Sequence, residues 1–125
     1  MFISFGTRNW SCGAAGLLLF ISGVVFADEP LVMLPASDIG AACLDRKNAA
    51  STEICYSFIL GVVQTHASYH EQHGVPEAFC LPGDATRQQA ITAIRKHFRR
   101  ARNDARLPAD QFVVRALAQA HPCPE

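Results

Sequence analysis

Apolar side chains recur with helical spacing in four stretches between residues 37 and 121, and no stretch alternates as a β-strand does. Each stretch follows a polar or proline residue that suits a helix start, in order Ser37, Ser51 or Thr52, Asp84, and Pro108. The predicted apolar stripes are Ile39, Cys43 and Leu44; Ile54, Phe58, Gly61, Val62, Thr65 and Tyr69, widened by Ile59, Val63 and His66; Ile91, Ile94 and Phe98; and Phe112, Val113, Ala116, Leu117 and Ala120. We therefore predict an all-α bundle of about four to five helices.

Glycine and proline residues predict where these helices end. Gly61 lies inside the second stripe, where glycine costs about 1 kcal/mol relative to alanine, so we expect a neighbouring helix to approach it closely. His73 and Gly74 end that helix. Residues 77–83 form a connector, and residues 103–107 are predicted to be a polar loop before the last helix.

The chain begins with features of a secretory signal peptide. Arg8 precedes an uncharged apolar run over residues 13–26, and small residues reach Ala27. The run is short for a membrane span, so we predict a signal peptide over residues 1–27, an extended arm over 28–36, and one helical domain over 37–125. An uncleaved membrane anchor is the alternative. After cleavage the protein would be periplasmic, with no membrane span.

Four cysteines follow the predicted signal peptide, and no Cys-x-x-Cys occurs, which favours disulfides over a zinc or redox site. In two antiparallel hairpins, Cys43 would lie beside Cys55, since both are almost equally far from the turn at residues 48–50. Cys80 would lie beside Cys123, since they open and close the second helical pair. These are the preferred pairs, and the crosswise pairing of Cys43 with Cys123 and Cys55 with Cys80 is the alternative.

Four motifs together resemble the Rap/Tai group of type VI secretion immunity proteins. They are residues 55–62 (CYSFILGV), 79–82 (FCLP), 112–117 (FVVRAL) and 121–124 (HPCP). The resemblance covers nearly all of residues 37–124 and implies a small, exported, mostly helical protein, in some members a dimer. It implies a function as a periplasmic inhibitor that binds a peptidoglycan amidase effector and blocks its active-site cleft. The chain departs from the family pattern at residues 96–101 (KHFRRA).

Two exposed regions are candidate contacts for that partner. One is the loop from His73 to Phe79, which includes Glu77, and the other is the basic end of the third helix. The positive charge at the end of the third helix would raise the rate of association with an anionic partner. The candidate partner-binding residues are His73, Glu77, Arg95, Arg99 and Arg100. The alternative is a solvated helix end that suits the helix dipole.

Other chemistry has less support. His66, His70 and His73 have spacings that allow one shared face, but a polar helix end is the favoured interpretation and no metal is predicted. Loss of Arg8 with the predicted signal peptide would leave 10 basic and 11 acidic residues, and this formal charge of −1 argues against a nucleic-acid binder. We predict no catalytic residues, no enzyme activity and no cofactor, because no nucleophile motif surrounds the serines. The alternative function is a periplasmic holdase that exposes apolar surface on acidification, with the five histidines as its trigger.

Overall fold

The computed structural model describes residues 32–125 as a helical bundle, so the predicted signal peptide over residues 1–27 lies outside the described residues. The elements are α1 (Ala36–Leu44), α2 (Ala49–His73), α3 (Arg87–Arg100), the 3-10 helix η1 (Arg102–Arg106) and α4 (Ala109–Ala120). Within residues 32–125 the only β-type pairing is an isolated bridge between Pro35 and Pro108. The predicted all-α class is therefore confirmed.

The end of the predicted arm is held against the start of α4. The Leu34 carbonyl accepts a hydrogen bond from the Ala109 N–H at 2.8 Å, and the Ala36 N–H donates to the Leu107 carbonyl at 2.9 Å. Pro35 has the extended backbone expected of the arm, but α1 already begins at Ala36. These backbone hydrogen bonds join the starts of α1 and α4, and no pattern in the sequence predicts them.

The starts of α2 and α3 differ from the sequence prediction. Asn48 caps α2, because its Oδ1 accepts from the Ala50 N–H at 2.9 Å, so the helix begins before Ser51. Thr86 caps α3 in place of the predicted Asp84. Its hydroxyl accepts from the Gln89 N–H at 3.2 Å, and its own N–H donates to Gln89 Oε1 at 2.7 Å. This reciprocal capping box satisfies both the Gln89 N–H and the Thr86 N–H.

The predicted polar loop over residues 103–107 is also wrong in part. Residues 102–106 form η1, and Pro108 is the N-cap of α4 rather than its first helical residue. The η1 turn returns the chain to α1, which allows α4 to pack antiparallel to α3 across a short connection.

All four α-helices contribute to one apolar core. Its largest fully buried members are Phe112, Ile39, Ile59, Ile91, Ile94, Leu117 and Val113. The close approach predicted at Gly61 occurs at Gly40 instead. A Cβ on Gly40 would lie 2.1 Å from the Phe98 ring, whereas a Cβ on Gly61 would meet nothing within 4 Å. Gly40 thus provides the space in which the Phe98 ring packs against α1.

The predicted stripe of α2 is correct only in its central part. Cys55 and Ile59 are buried, but Ile54 and Tyr69 at the two ends of the predicted stripe are 57% and 54% exposed. The buried line is displaced by one residue because the rest of the bundle covers one flank of α2. The other flank keeps its apolar side chains at the surface.

Two disulfides close the bundle in the pairing preferred from the sequence. Cys43–Cys55 joins α1 to α2, and Cys80–Cys123 joins the segment before α3 to the segment after α4. The sequence separations are 12 and 43 residues. In the chain-entropy model, rings of these sizes contribute roughly 3 and roughly 4 kcal/mol.

Candidate functional site

The connector between α2 and α3, which in the structure covers residues 74–86, is held by contacts at several points. Gly74 ends α2 with φ 62°, and its N–H donates to the His70 carbonyl at 2.8 Å. The ring Nδ1 of His70 hydrogen-bonds the Val75 carbonyl, which fixes the residue after the glycine. The loop therefore leaves the helix with its direction set before any partner binds.

The far end of the connector is fixed by a buried aromatic ring and a disulfide. Phe79 is 7% exposed and stacks on His66 with ring centroids 5.2 Å apart. Cys80 is bonded to Cys123, and its N–H donates to the His121 carbonyl at 2.9 Å. These contacts support one wall of a concavity of about 210 Å³ that is lined by Val63, His66, Ala67, Glu77, Phe79, Cys80 and Leu81.

Glu77 and Asp84 are the exposed charged residues of this connector, and Glu77 lies beside the disulfide. Its Oε2 lies 3.3 Å from the Sγ of Cys80, and its backbone carbonyl lies 3.7 Å from the Sγ of Cys123. A carboxylate and two cysteines this close would suit a metal, but both sulfurs are consumed by the disulfide and cannot act as thiolate ligands. The connector therefore offers a rigid acidic surface, with no ligand set for a metal at this point.

The basic end of α3 is only partly the surface that the sequence predicts. Lys96, Arg99 and Arg100 are exposed, but Arg95 is 7% exposed. The Nε of Arg95 donates to the Cys43 carbonyl at the end of α1. The prediction that Arg95 belongs to an exposed basic ridge is wrong, because its side chain caps an orphan carbonyl of another helix.

The remaining cations of α3 meet a cation from another element. Arg46, in the loop after α1, shares a concavity of about 280 Å³ with five residues of α3, namely Thr92, Arg95, Lys96, Arg99 and Arg100. Burial, then the like charges of Arg46 and Arg99, lower the pKa of the Arg95 guanidinium. Glu77 and His73 do not line this concavity, so the two predicted contact regions are separate surfaces.

The three histidines of α2 have separate partners and do not form a shared face. His66 stacks on Phe79, His70 bonds the Val75 carbonyl, and His73 lies 4.4 Å from the Tyr69 ring, centroid to centroid. His70 thus joins the end of α2 to the start of the connector, and His66 joins α2 to the far end of the connector.

A buried polar network in the second hairpin was not predicted. His97 is 4% exposed, and its two ring nitrogens lie 2.9 Å from Gln119 Oε1 and 2.9 Å from Asp104 Oδ2. Arg115 Nη1 also reaches Asp104, at 3.5 Å. The network joins α3, η1 and α4. Its only sequence signal was a histidine at an inward position of a basic run, which the charges of its neighbours obscured.

An apolar groove runs along the uncovered flank of α2. Its volume is about 400 Å³, and its lining residues are Ser57, Phe58, Gly61, Val62, Thr65, His66, Asp110 and Val114. Gly61 deepens the groove because it has no side chain. The glycine predicted to receive a helix thus opens a surface instead.

The residues that carry these surfaces fall within a region that matches a known protein family. A family model described as Rap1a immunity proteins matches residues 36–123. The chain belongs to this family. The resemblance predicted from the sequence is therefore confirmed. No curated protein and no solved structure matches the chain.

Membership of the Rap1a immunity proteins has a direct structural correlate. The matched region contains all four α-helices and both disulfides of the described chain. The family implies that the protein binds a toxin effector, and the disulfides are compatible with a periplasmic location. Among residues 32–125, no helix combines the length and apolar character that crossing a bilayer requires.

Proposed function

We propose that this Rap1a immunity protein is a periplasmic inhibitor of a type VI secretion peptidoglycan amidase effector, acting by occlusion of the effector's active-site cleft. The observation that carries the proposal is the family match across residues 36–123. The protein acts as a binder rather than as an enzyme. Its partner is a protein, and no cofactor is needed for binding.

The rigid connector supports occlusion as the means of inhibition. A protruding segment blocks a cleft well when little conformational entropy is lost on insertion, and each side chain that must be ordered costs about 0.5–1.5 kcal/mol. The connector is already held by the left-handed Gly74, the His66–Phe79 stack and the Cys80–Cys123 disulfide. We assign the exposed His73 and Glu77 to contact with the effector.

The test is inhibition of a purified amidase whose gene neighbours that of this protein. The oxidised protein is expected to bind the amidase stoichiometrically and to stop its cleavage of peptidoglycan. His73→Ala combined with Glu77→Ala is expected to weaken inhibition, whereas the matched pair Gln64→Ala and Gln72→Ala, on the exposed surface of α2, is expected to leave it intact. Unimpeded cleavage in the presence of excess wild-type protein would refute the proposed function.

Cellular protection provides a second readout. Cells that direct the amidase to their own periplasm are expected to lyse unless this protein is exported with it. A copy retained in the cytoplasm is expected to give no protection, because the toxin and its inhibitor would be in different compartments. Protection by the retained copy would contradict the periplasmic site of action.

A further inference from the structure

The cation-lined concavity between α3 and the loop after α1 has a composition that solvation at a helix end does not account for. A helix C-terminus favours basic side chains within its last turn. That effect covers Arg99 and Arg100, but it does not explain why Arg46 converges on them from another element. It also does not explain a buried arginine at the same place.

The charges of this concavity are uncompensated among the described residues. The ion pairs of the described residues involve Arg87, His97 and Arg115 as their basic members. None of them involves a cation that lines the concavity. Like charges also act on Arg95, because burial first, and then Arg46 and Arg99, lower the pKa of its guanidinium. An anionic group placed among these cations would remove a repulsion that the free protein carries.

Arg95, which lines the concavity, has hydrogen-bond donors that the protein leaves open. Arg95 is held through its Nε, which donates to the Cys43 carbonyl, and its Nη groups make no hydrogen bond to any described residue. No fully buried side-chain nitrogen lacks a partner in the described chain, so these Nη groups are not fully buried. A fixed guanidinium with free Nη groups matches the geometry of an oxyanion.

We propose that this concavity receives clustered Asp or Glu carboxylates from the surface of the bound toxin. The inference rests on the proposed function for the identity of the partner, and it adds the chemistry of a second contact apart from the connector. Guanidinium groups bind carboxylates through two parallel hydrogen bonds. The aliphatic stems of the basic side chains form much of the lining, so an anionic membrane surface is the occupant that the test must separate from a carboxylate cluster.

A fluorescein-labelled peptide of ten glutamates is the probe for this site. Binding is followed by fluorescence anisotropy at low salt, with a peptide of ten glutamines as the uncharged control. The wild-type chain has a formal net charge of zero, so general attraction to the whole protein is small. We expect binding of the acidic peptide, a steep loss of affinity with added salt, and no binding of the glutamine peptide.

Three variants separate the concavity from general basic charge. Arg99→Gln with Arg100→Gln is expected to weaken peptide binding about tenfold or more, since a hydrogen bond to a charged group has that value. Arg46→Gln is expected to weaken it severalfold, although Arg46 belongs to another element. The matched control, Arg102→Gln with Arg106→Gln, removes two exposed charges from η1 and is expected to change affinity less than about twofold. An equal loss in the control would overturn the proposal.

Two further arms separate the sources of negative charge. Vesicles of phosphatidylglycerol and inorganic tripolyphosphate are offered to the same proteins. Binding to vesicles or tripolyphosphate without binding to the acidic peptide would overturn the proposal in favour of a phosphate ligand. Peptide binding that is lost in the Arg99 and Arg100 variant, with no vesicle binding, supports it.

The amidase assay then separates this inference from the proposed function. The Arg99→Gln and Arg100→Gln protein is expected to associate with the amidase about tenfold more slowly at low salt, with the difference shrinking as salt rises. Equal association rates for variant and wild type would overturn the inference while leaving the immunity function intact. Failure of the wild type to bind the amidase at all would instead refute the proposed function.

Discussion

Gly40 provides the sharpest test of how the bundle is packed. Alanine at this position would place its Cβ 2.1, 2.3 and 2.6 Å from three atoms of the Phe98 ring, far inside van der Waals contact. The ring cannot simply retreat, because it packs edge-on against the buried Phe112, with centroids 5.7 Å apart. Gly40→Ala therefore forces α1 and α3 apart.

Gly61 is a matched control for the same substitution. Both glycines lie inside α-helices, so each change to alanine gains about 1 kcal/mol of helix propensity. At Gly61 nothing opposes that gain, because no atom lies within 4 Å of the added Cβ. The difference between the two variants therefore isolates the steric effect. Overpacking of a core costs about 1–3 kcal/mol, and an overlap with three ring atoms belongs at the upper end of that range.

The measurement is urea unfolding followed by far-UV circular dichroism, with both disulfides intact. Gly61→Ala is expected to raise the free energy of unfolding by about 1 kcal/mol, and Gly40→Ala to lower it by about 2 kcal/mol. The difference of about 3 kcal/mol corresponds to a separation of at least about 12 °C in Tm. Adding Phe98→Leu to the Gly40→Ala variant should recover part of the lost stability. Equal stabilities for the Gly40→Ala and Gly61→Ala variants would refute the close contact between Gly40 and the Phe98 ring.

Three further changes test the caps and the disulfides. Thr86→Ala removes the capping box of α3 and is expected to cost about 1 kcal/mol in chemical unfolding, while Ser68→Ala on exposed α2 costs almost nothing. Arg95→Ala leaves the end of α1 without its cap and is expected to cost about 1–3 kcal/mol, and a cost no larger than that of Arg99→Ala would contradict this role. Replacing Cys43 and Cys55 with alanine is expected to cost roughly 3 kcal/mol, and replacing Cys80 and Cys123 roughly 4 kcal/mol. The reverse order of these two costs in calorimetry would contradict the chain-entropy account.

The sequence predicts those features of the fold that depend on local periodicity. The helix count, the end of α2 at Gly74 and the preferred cysteine pairs all follow from spacing and from the symmetry of a hairpin. The buried flank of α2 was not predictable in the same way. Apolar residues surround that helix on more than one side, so periodicity does not decide which flank the bundle covers. The same reasoning misplaced the close helix contact at Gly61 rather than Gly40.

The candidate site depends on contacts between helices and loops that are distant in sequence, and local sequence patterns do not predict such contacts. A basic run such as residues 95–100 predicts a charged surface, but it does not reveal that one member turns inward to cap α1. Nor does it reveal that Arg46, distant in sequence, joins the exposed members. The connector differs, because the sequence predicts the roles of Gly74 and Cys80. It does not predict the contacts that His66 and His70 make with the connector.

The cost of the cation cluster is the strongest reason to regard it as a binding surface. If the basic residues were only a solvated helix end, their side chains would spread apart, since long exposed chains lose little by separating. Here the Arg95 guanidinium is fixed by its bond to the Cys43 carbonyl of α1, and burial, followed by the like charges of Arg46 and Arg99, lowers its pKa. The bond to α1 accounts for the position of Arg95, but it does not account for the like charges of Arg46 and the exposed α3 cations in the same concavity. A carboxylate partner would convert that unfavourable arrangement into an attractive one, and the effect of Arg46 on acidic-peptide binding distinguishes a built concavity from a charged helix end.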